Sequence, residues 1–113
     1  MHEMSLAEGI VRILEEQART QGFSRVTGVW LEVGRLAQVE PESLAFCFGA
    51  VARETLADGA SLELIMVDGR GWCHGCGREV PIGNHYDACP SCGSYRVEAT
   101  GGTEMRVKEV EVE

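Results

Sequence analysis

Two C-x-x-C pairs, Cys73-His-Gly-Cys76-Gly and Cys89-Pro-Ser-Cys92-Gly, constrain this chain more than any other feature of it. The residues they enclose are too few to bury a core of their own, so whatever joins the four sulfurs must hold the segment together. Two such pairs separated by a loop are the ligand pattern of a four-thiolate structural zinc site. Glycine follows each pair (Gly77 and Gly93), which lets the backbone turn back so that both sulfurs face one ion. Neighbouring N–H groups can then point at the thiolates. Two disulfides, or a redox C-x-x-C, use the same residue types. A thioredoxin-like role needs a C-x-x-C that opens a helix after a strand, and neither pair stands in that place. Spacing and paired glycines put the zinc site first.

Of the 113 residues 44% are hydrophobic, enough for one modest core beside the metal-held segment. Acidic residues number 18 against 10 basic, a formal net charge of −8. A phosphate backbone binds through basic surface, so no nucleic acid is expected as the main partner. A cation or a basic protein surface suits the balance better. No charged n-region with an apolar h-region is present, and no apolar run approaches the ~18 residues of a membrane span. The expected setting is the cytoplasm, with no membrane partner, where thiolates stay reduced and available to metal. The fifth cysteine, Cys47 in Leu44-Ala-Phe-Cys-Phe48, reads as a small core residue.

Ser5 with Glu8 three residues on forms a capping box, which predicts a helix from about Leu6. Leu6, Ile10, Ile13, Leu14 and Gln17 share one face with Val11 beside it, and Gly22 ends the helix. Residues 25–34 alternate, with Val29, Leu31 and Val33 on one side and Trp30 and Glu32 on the other, as a strand does. Pro41 suits the first position of a second helix, whose period runs through Leu44, Cys47, Phe48, Val51 and Thr55 to Asp58-Gly59. A second strand covers 61–67, and the strand–helix–strand order predicts a parallel pair. The last stretch is a third strand, expected to pair antiparallel with the second. Its alternation slips between Met105/Val107 and Val110/Val112, as a bulge near Lys108-Glu109 or a fraying end would produce. The charges from Glu109 to Glu113 read as a solvated edge. The expected fold is therefore α+β: two helices packed on a small mixed three-stranded sheet, with an inserted zinc-ribbon-like module. Residues 1–70 plus 101–113 make the α/β core. Residues 71–100 make the zinc-binding module, flanked by Gly69, Gly71, Gly101 and Gly102 and able to tilt on them.

The N-terminus offers a second set of metal donors. A methionine before histidine is expected to be retained, because its removal generally requires a small second residue. The Met1 amine, the His2 amide nitrogen and the His2 imidazole then close two fused chelate rings on one ion. Nitrogen donors in a plane favour Ni(II) or Cu(II). Glu3 is close enough to donate an oxygen or to orient a ligand. Any chain that begins Met-His carries these atoms, and an early histidine is commonly only solvated.

Met1-His2-Glu3 directly before an amphipathic helix, combined with the late C-x-x-C…C-x-x-C module, resembles the HypA/HybF family of hydrogenase maturation factors. Gly101-Gly-Thr-Glu-Met105 before the last strand is similar to that family too, and the resemblance covers essentially the whole chain. It implies a nickel metallochaperone that binds Ni(II) at His2, with structural Zn(II) at Cys73, Cys76, Cys89 and Cys92. It also implies delivery of nickel to the precursor of the NiFe hydrogenase large subunit, in partnership with the GTPase HypB. In some members a carboxylate in the loop after the first strand is linked to nickel; Glu40, just before Pro41, stands at that place, where aspartate would match more closely. The resemblance allows a monomer or a homodimer, and leaves open whether urease maturation is served.

His74 and His85 flank the cysteines and read as exposed loop residues, although either would be able to bond or replace a thiolate as pH changes. Trp72 beside Cys73 is expected to shield the thiolates from water. Nothing resembles an activated nucleophile or a phosphate loop, and a four-cysteine site is closed to substrate, so no enzyme is expected. The alternatives are a zinc-ribbon adaptor or nucleic-acid-binding module without nickel, and a rubredoxin-like iron carrier, which colour alone would distinguish from zinc.

Overall fold

Helix α1 (Glu3–Gln21) leads into β1 (Val26–Gly34), a short 3-10 turn (Arg35–Ala37) and α2 (Pro41–Ala52). Five further strands follow: β2 (Ser61–Val67), β3 (Gly69–Cys73), β4 (Arg78–Ile82), β5 (Val97–Gly101) and β6 (Met105–Val112). These elements are those of a computed structural model, which describes residues 2–113. The strands form two sheets, ordered β2-β1-β6 and β4-β3-β5. The α+β class expected from the sequence is the class observed, and the cysteine segment brings a small sheet of its own. Contacts divide the chain into two compact units, one of Met1–Leu31, Val39–Leu64 and Val107–Glu113, the other of Glu32–Gln38 and Ile65–Arg106. No helix among the described residues is long and apolar enough to cross a membrane.

In the first unit, α1 begins three residues before the capping box predicts. His2 takes the N-cap position, and its carbonyl accepts both the Leu6 N–H at 3.0 Å and the Ser5 hydroxyl at 3.0 Å. Ser5 therefore donates backwards and starts nothing. The buried face is Ala7, Ile10, Val11 and Leu14, with Glu3 at its head. Centring the stripe there leaves Ile13, expected in the core, 46% exposed. α1 packs against α2, whose inward residues are Leu44, Phe48 and Ala52, while Cys47 is half-buried. α2 stops at Ala52, short of the Asp58-Gly59 signal, because Arg53 turns extended and Glu54 takes a left-handed φ of 63°. The Asp58 carboxylate accepts the Glu54 N–H at 3.0 Å and holds that break.

β1 carries the longest buried row (Val26, Val29, Leu31 and Val33) and so takes the middle of its sheet, with a strand on either edge. The expected pairing of β2 with β6 is therefore wrong: both pair with β1. At the end of β6 the Glu113 N–H reaches the Arg25 carbonyl at 3.1 Å, and the Thr27 hydroxyl reaches that of Glu111 at 3.2 Å. Those bonds run β6 antiparallel to β1. The strand does not fray. Its half-buried residues, Met105, Val107 and Val110, change phase at Lys108-Glu109 inside one continuous strand.

In the second unit two of the flanking glycines, Gly69 and Gly102, lie where backbone segments come close together. The Gly34 N–H donates to Glu104 O at 2.8 Å, and the Leu36 N–H donates to Gly102 O at 2.8 Å. A Cβ on Gly34 would overlap the Gly102 carbonyl, and one on Gly69 would overlap that of Ile82. Two backbones this close leave no room for a side chain. Gly34→Ala is accordingly expected to cost about 3 kcal/mol, the upper part of the usual overpacking range, and to lower the melting temperature of this unit. Thermal unfolding followed at Trp72 checks it; an unchanged midpoint would contradict the close crossing.

Candidate functional site

The second unit brings the four cysteines of the two pairs together. Each knuckle is built the same way. The Gly77 N–H donates to Cys73 O and the Gly93 N–H to Cys89 O, both at 2.8 Å, and the two glycines have φ of 68° and 79°. That left-handed turn is the conformation a β-carbon disfavours. It aims the Cys76 N–H at the Cys73 sulfur, and the Cys92 N–H at that of Cys89, each at 3.4 Å. Ser91 adds a third such N–H, again 3.4 Å from Cys89 Sγ. The first knuckle lies at the end of β3, which pairs antiparallel with β4 and β5 and sets Cys73 opposite Arg78 and Val97. The Ser94 carbonyl accepts the Cys89 N–H at 2.7 Å and holds the second knuckle in place.

All four sulfurs lie within 4.8 Å of one another. Cys73 Sγ is 3.6 Å from Cys92 Sγ, and Cys76 Sγ is 3.9 Å from Cys89 Sγ. A disulfide needs about 2.05 Å, so these are not bridged pairs. Four sulfurs about 2.3 Å from a tetrahedral ion stand about 3.8 Å apart, so the cluster fits zinc. The protonation pattern agrees. The Cys92 N–H, and then that of Ser91 against the cost of burial, bring the Cys89 thiol down to about 6. The Cys76 N–H lowers Cys73 as well. Burial, with the neighbouring sulfurs, pushes Cys76 up to about 12. Cys92 is also raised, the favourable Ser94 N–H being outweighed by the Cys73 sulfur and by burial. Without a cation the four sulfurs oppose one another's ionisation; a dication relieves this and drives the remaining protons off.

The shield over the sulfurs is not Trp72. β3 alternates, so Trp72 points away from buried Cys73 and is 41% exposed. Leu36 takes that role from the turn after β1: only 2% exposed, it clusters with Cys73, Val80, Ile82 and Cys89. His85 is not the solvated loop residue expected. It is half-buried, with Nε2 2.7 Å from the Leu36 carbonyl, and so ties down the residue that covers the sulfurs. His74 is exposed and stands 3.2 Å from Glu98. Neither histidine belongs to the four-sulfur cluster found among the described residues. Leu36 was missed in the sequence, and with it the partner of His85; the one available signal was an apolar residue in a turn where nothing nearby needed one.

In the first unit, three of the N-terminal candidates lie at the helix starts. His2 is exposed at the N-cap of α1. Glu3 is 5% exposed, and its carboxylate accepts the Glu40 N–H at 3.0 Å. That bond brings Glu40, distant in sequence, to the first turn of α1. Glu40 caps α2 by accepting the Glu42 N–H on one carboxylate oxygen at 3.1 Å. The Glu40 N–H holds the Glu3 carboxyl below the usual range, against the opposing effect of burial. Its bond therefore stabilises the fold above the ordinary glutamate range, and the contribution fades as pH falls through the lowered value. Met1, the remaining candidate, lies outside the described residues.

Known proteins similar to this chain match it along essentially its whole length. The family model described as "Hydrogenase/urease nickel incorporation, metallochaperone, hypA" matches residues 1–112. "Hydrogenase maturation factor HypA" of Azotobacter chroococcum mcd 1 is 63% identical over 113 residues, covering 100% of both chains. The protein of the same name from Azotobacter vinelandii is 60% identical over the same span and coverage. The solution structure of the Ni metallochaperone HypA from Helicobacter pylori superposes with a TM-score of 0.72 at 23% identity, covering 99% of this chain and 97% of that one.

Proposed function

Because the chain belongs to the HypA family of hydrogenase/urease nickel-incorporation metallochaperones, we propose that it takes up Ni(II) as cargo at its N-terminus and delivers it in the cytoplasm to the precursor of a NiFe hydrogenase large subunit. The GTPase HypB is its partner in that delivery. The family is one of maturation factors and not of enzymes, so the chain's task is to bind nickel selectively and then release it. Cys73, Cys76, Cys89 and Cys92 hold Zn(II) as a resident ion, which when bound supplies four bonds that cross-link the two knuckles.

One observation supports the nickel reading: the bond from the Glu40 N–H to the Glu3 carboxylate ties the start of α2 to the residue that follows the exposed His2. A helix N-terminus repels cations, and both α1 and α2 begin here, so a nickel site in this place needs acidic neighbours to offset the two dipoles. Glu3, Glu40 and Glu42 supply them. The Met1 amine, the His2 amide nitrogen and the His2 imidazole are the nitrogen donors. Glu40 has one oxygen engaged by the Glu42 N–H and the other left for the metal. Glu3, 5% exposed and holding the Glu40 N–H, orients the loop beside the site.

Metal analysis of the untagged chain with added nickel is expected to give one zinc and one nickel per chain. Zinc alone would contradict the reading. Glu3→Ala is expected to weaken nickel 10–100-fold, the usual cost of losing an orienting partner, with zinc content unchanged. Nickel titration checks this, and equal affinity would remove Glu3 from the site.

A further inference from the structure

The outer face of the second sheet lies away from the four sulfurs. Cys73, Val80 and Ile82 are on its inner side, with Val97 and Ala99 packed against them. The alternate positions face solvent: Arg70 and Trp72 on β3, Glu79 and Pro81 on β4, Glu98 and Thr100 on β5. Trp72 is at the centre of this face, because β3 is the middle strand. Register sets it opposite Glu79 on one side and Glu98 on the other, so the indole stands between two carboxylates. Directly opposed side chains begin about 5 Å apart, within reach of one another. Aromatic and β-branched residues are the favourable cross-strand partners of an indole, and glutamate is not one of them. Sheet stability therefore explains the tryptophan but not its neighbours.

The ring is left open. The one aromatic pair found among the described residues joins His85 and Tyr86, so no second ring covers the indole. Arg70, two residues along the same face, is drawn aside: its guanidinium donates to Glu79 Oε1 at 3.1 Å. The Thr100 hydroxyl donates to the other Glu79 oxygen at 3.4 Å, and His74 Nε2 stands 3.2 Å from Glu98 Oε1. These bonds orient both carboxylates beside the indole without exhausting them, since a carboxylate accepts about four hydrogen bonds. The ion pairs among them are at the surface, where such pairs are weak and exchange readily. An aromatic face flanked by anionic oxygens is an arrangement that a cation recognises. Arginine fits it better than lysine, because its planar fork stacks on an indole while its N–H groups point sideways at carboxylates. The net charge of −8 draws a basic partner in.

We propose that the outer face of this sheet is a docking site for a basic segment of a partner protein, in which one arginine lies on the Trp72 ring between Glu79 and Glu98. Tryptophan and arginine are the side chains that most often carry the energy of an interface, and here each supplies what the other lacks. The anchor is a single side chain, so the contact is weak and exchanges quickly. The inference stands independently of the nickel reading.

Nuclear magnetic resonance titration of the full untagged, zinc-loaded chain with a capped tri-arginine peptide tests it. The Trp72 indole N–H and the Glu79 and Glu98 amides are expected to shift together and to saturate, with a Kd on the order of 1 mM. The Trp30 indole, on β1 of the other sheet, is the internal control and should not shift. A capped tri-citrulline peptide, which keeps the shape and loses the charge, should not bind. Trp72→Leu, followed at the two glutamate amides, should weaken the arginine peptide about tenfold, as the loss of a cation–π contact does. Glu79→Gln with Glu98→Gln should weaken it at least as much. Glu109→Gln with Glu111→Gln makes the same change of net charge on β6 and should leave the affinity as it is. Zinc content and the dispersion of the amide spectrum establish that each variant is folded. Absence of a saturable shift at Trp72 overturns the proposal, as does equal binding of the citrulline peptide. So does an affinity that Trp72→Leu leaves unchanged, or that the β6 pair of changes lowers as much as the pair beside Trp72.

Discussion

Cys73→Ser is expected to cost the chain its stoichiometric zinc and to release residues 65–106 from their fold while both helices stay formed. Cys73 is fully buried and stands 3.6 Å from Cys92 Sγ, so its loss removes a ligand from the enclosed side of the cluster. Structural zinc supplies on the order of 10–16 kcal/mol to small domains, far more than the apolar cluster of Leu36, Val80 and Ile82 replaces. The first unit has its own core in Ile10, Leu14, Val29, Leu31, Leu44 and Phe48, none of which depends on the metal. Zinc analysis with hydrogen exchange separates the two outcomes: amides of β3, β4 and β5 should lose protection while those of α1 and α2 keep theirs. Full zinc occupancy with unaltered protection in the variant would refute the four-sulfur assignment.

His2→Ala is expected to abolish nickel uptake with zinc unchanged. The substitution removes the imidazole that closes the second chelate ring of the proposed nickel site. It leaves the α1 start intact, because the bonds from Leu6 N–H and the Ser5 hydroxyl go to the backbone carbonyl at position 2. Acid should act in the same direction as the mutation, since protons compete with the metal for nitrogen donors. Nickel titrated into both chains at neutral and at mildly acidic pH measures the two effects side by side. A variant that takes nickel as the parent does would move the site away from the N-terminus.

The elements and the four cysteines were legible because they depend on short-range patterns. Alternation in β1, the apolar period of α1 and the repeated C-x-x-C-G each state a local geometry that the fold keeps. Errors arose where a tertiary partner decides. Trp72 looked like a cover because it adjoins Cys73, but strand alternation turns it outward and a residue from a distant turn, Leu36, closes the site. Gly69 and Gly102 read only as freedom to move, yet each also marks a close backbone approach invisible from one strand alone. The order β2-β1-β6 was missed for the same reason: chain order does not say which strand has enough buried surface to be central. At the N-terminus the bond between Glu3 and Glu40 supplied what spacing does not encode, a meeting of residues far apart in sequence.

The central claim is that nickel is chelated by the backbone of the first two residues, and adding a single residue ahead of Met1 tests it most directly. The extension converts the free amine into an amide and breaks the first chelate ring, yet it keeps His2, Glu3, Glu40 and all four cysteines in the chain. Calorimetric titration of nickel into the original and the extended chain, with zinc content as the internal control, should show one site in the first and none in the second. Undiminished nickel binding by the extended chain would contradict the account and leave the site to the side chains of His2 and Glu40.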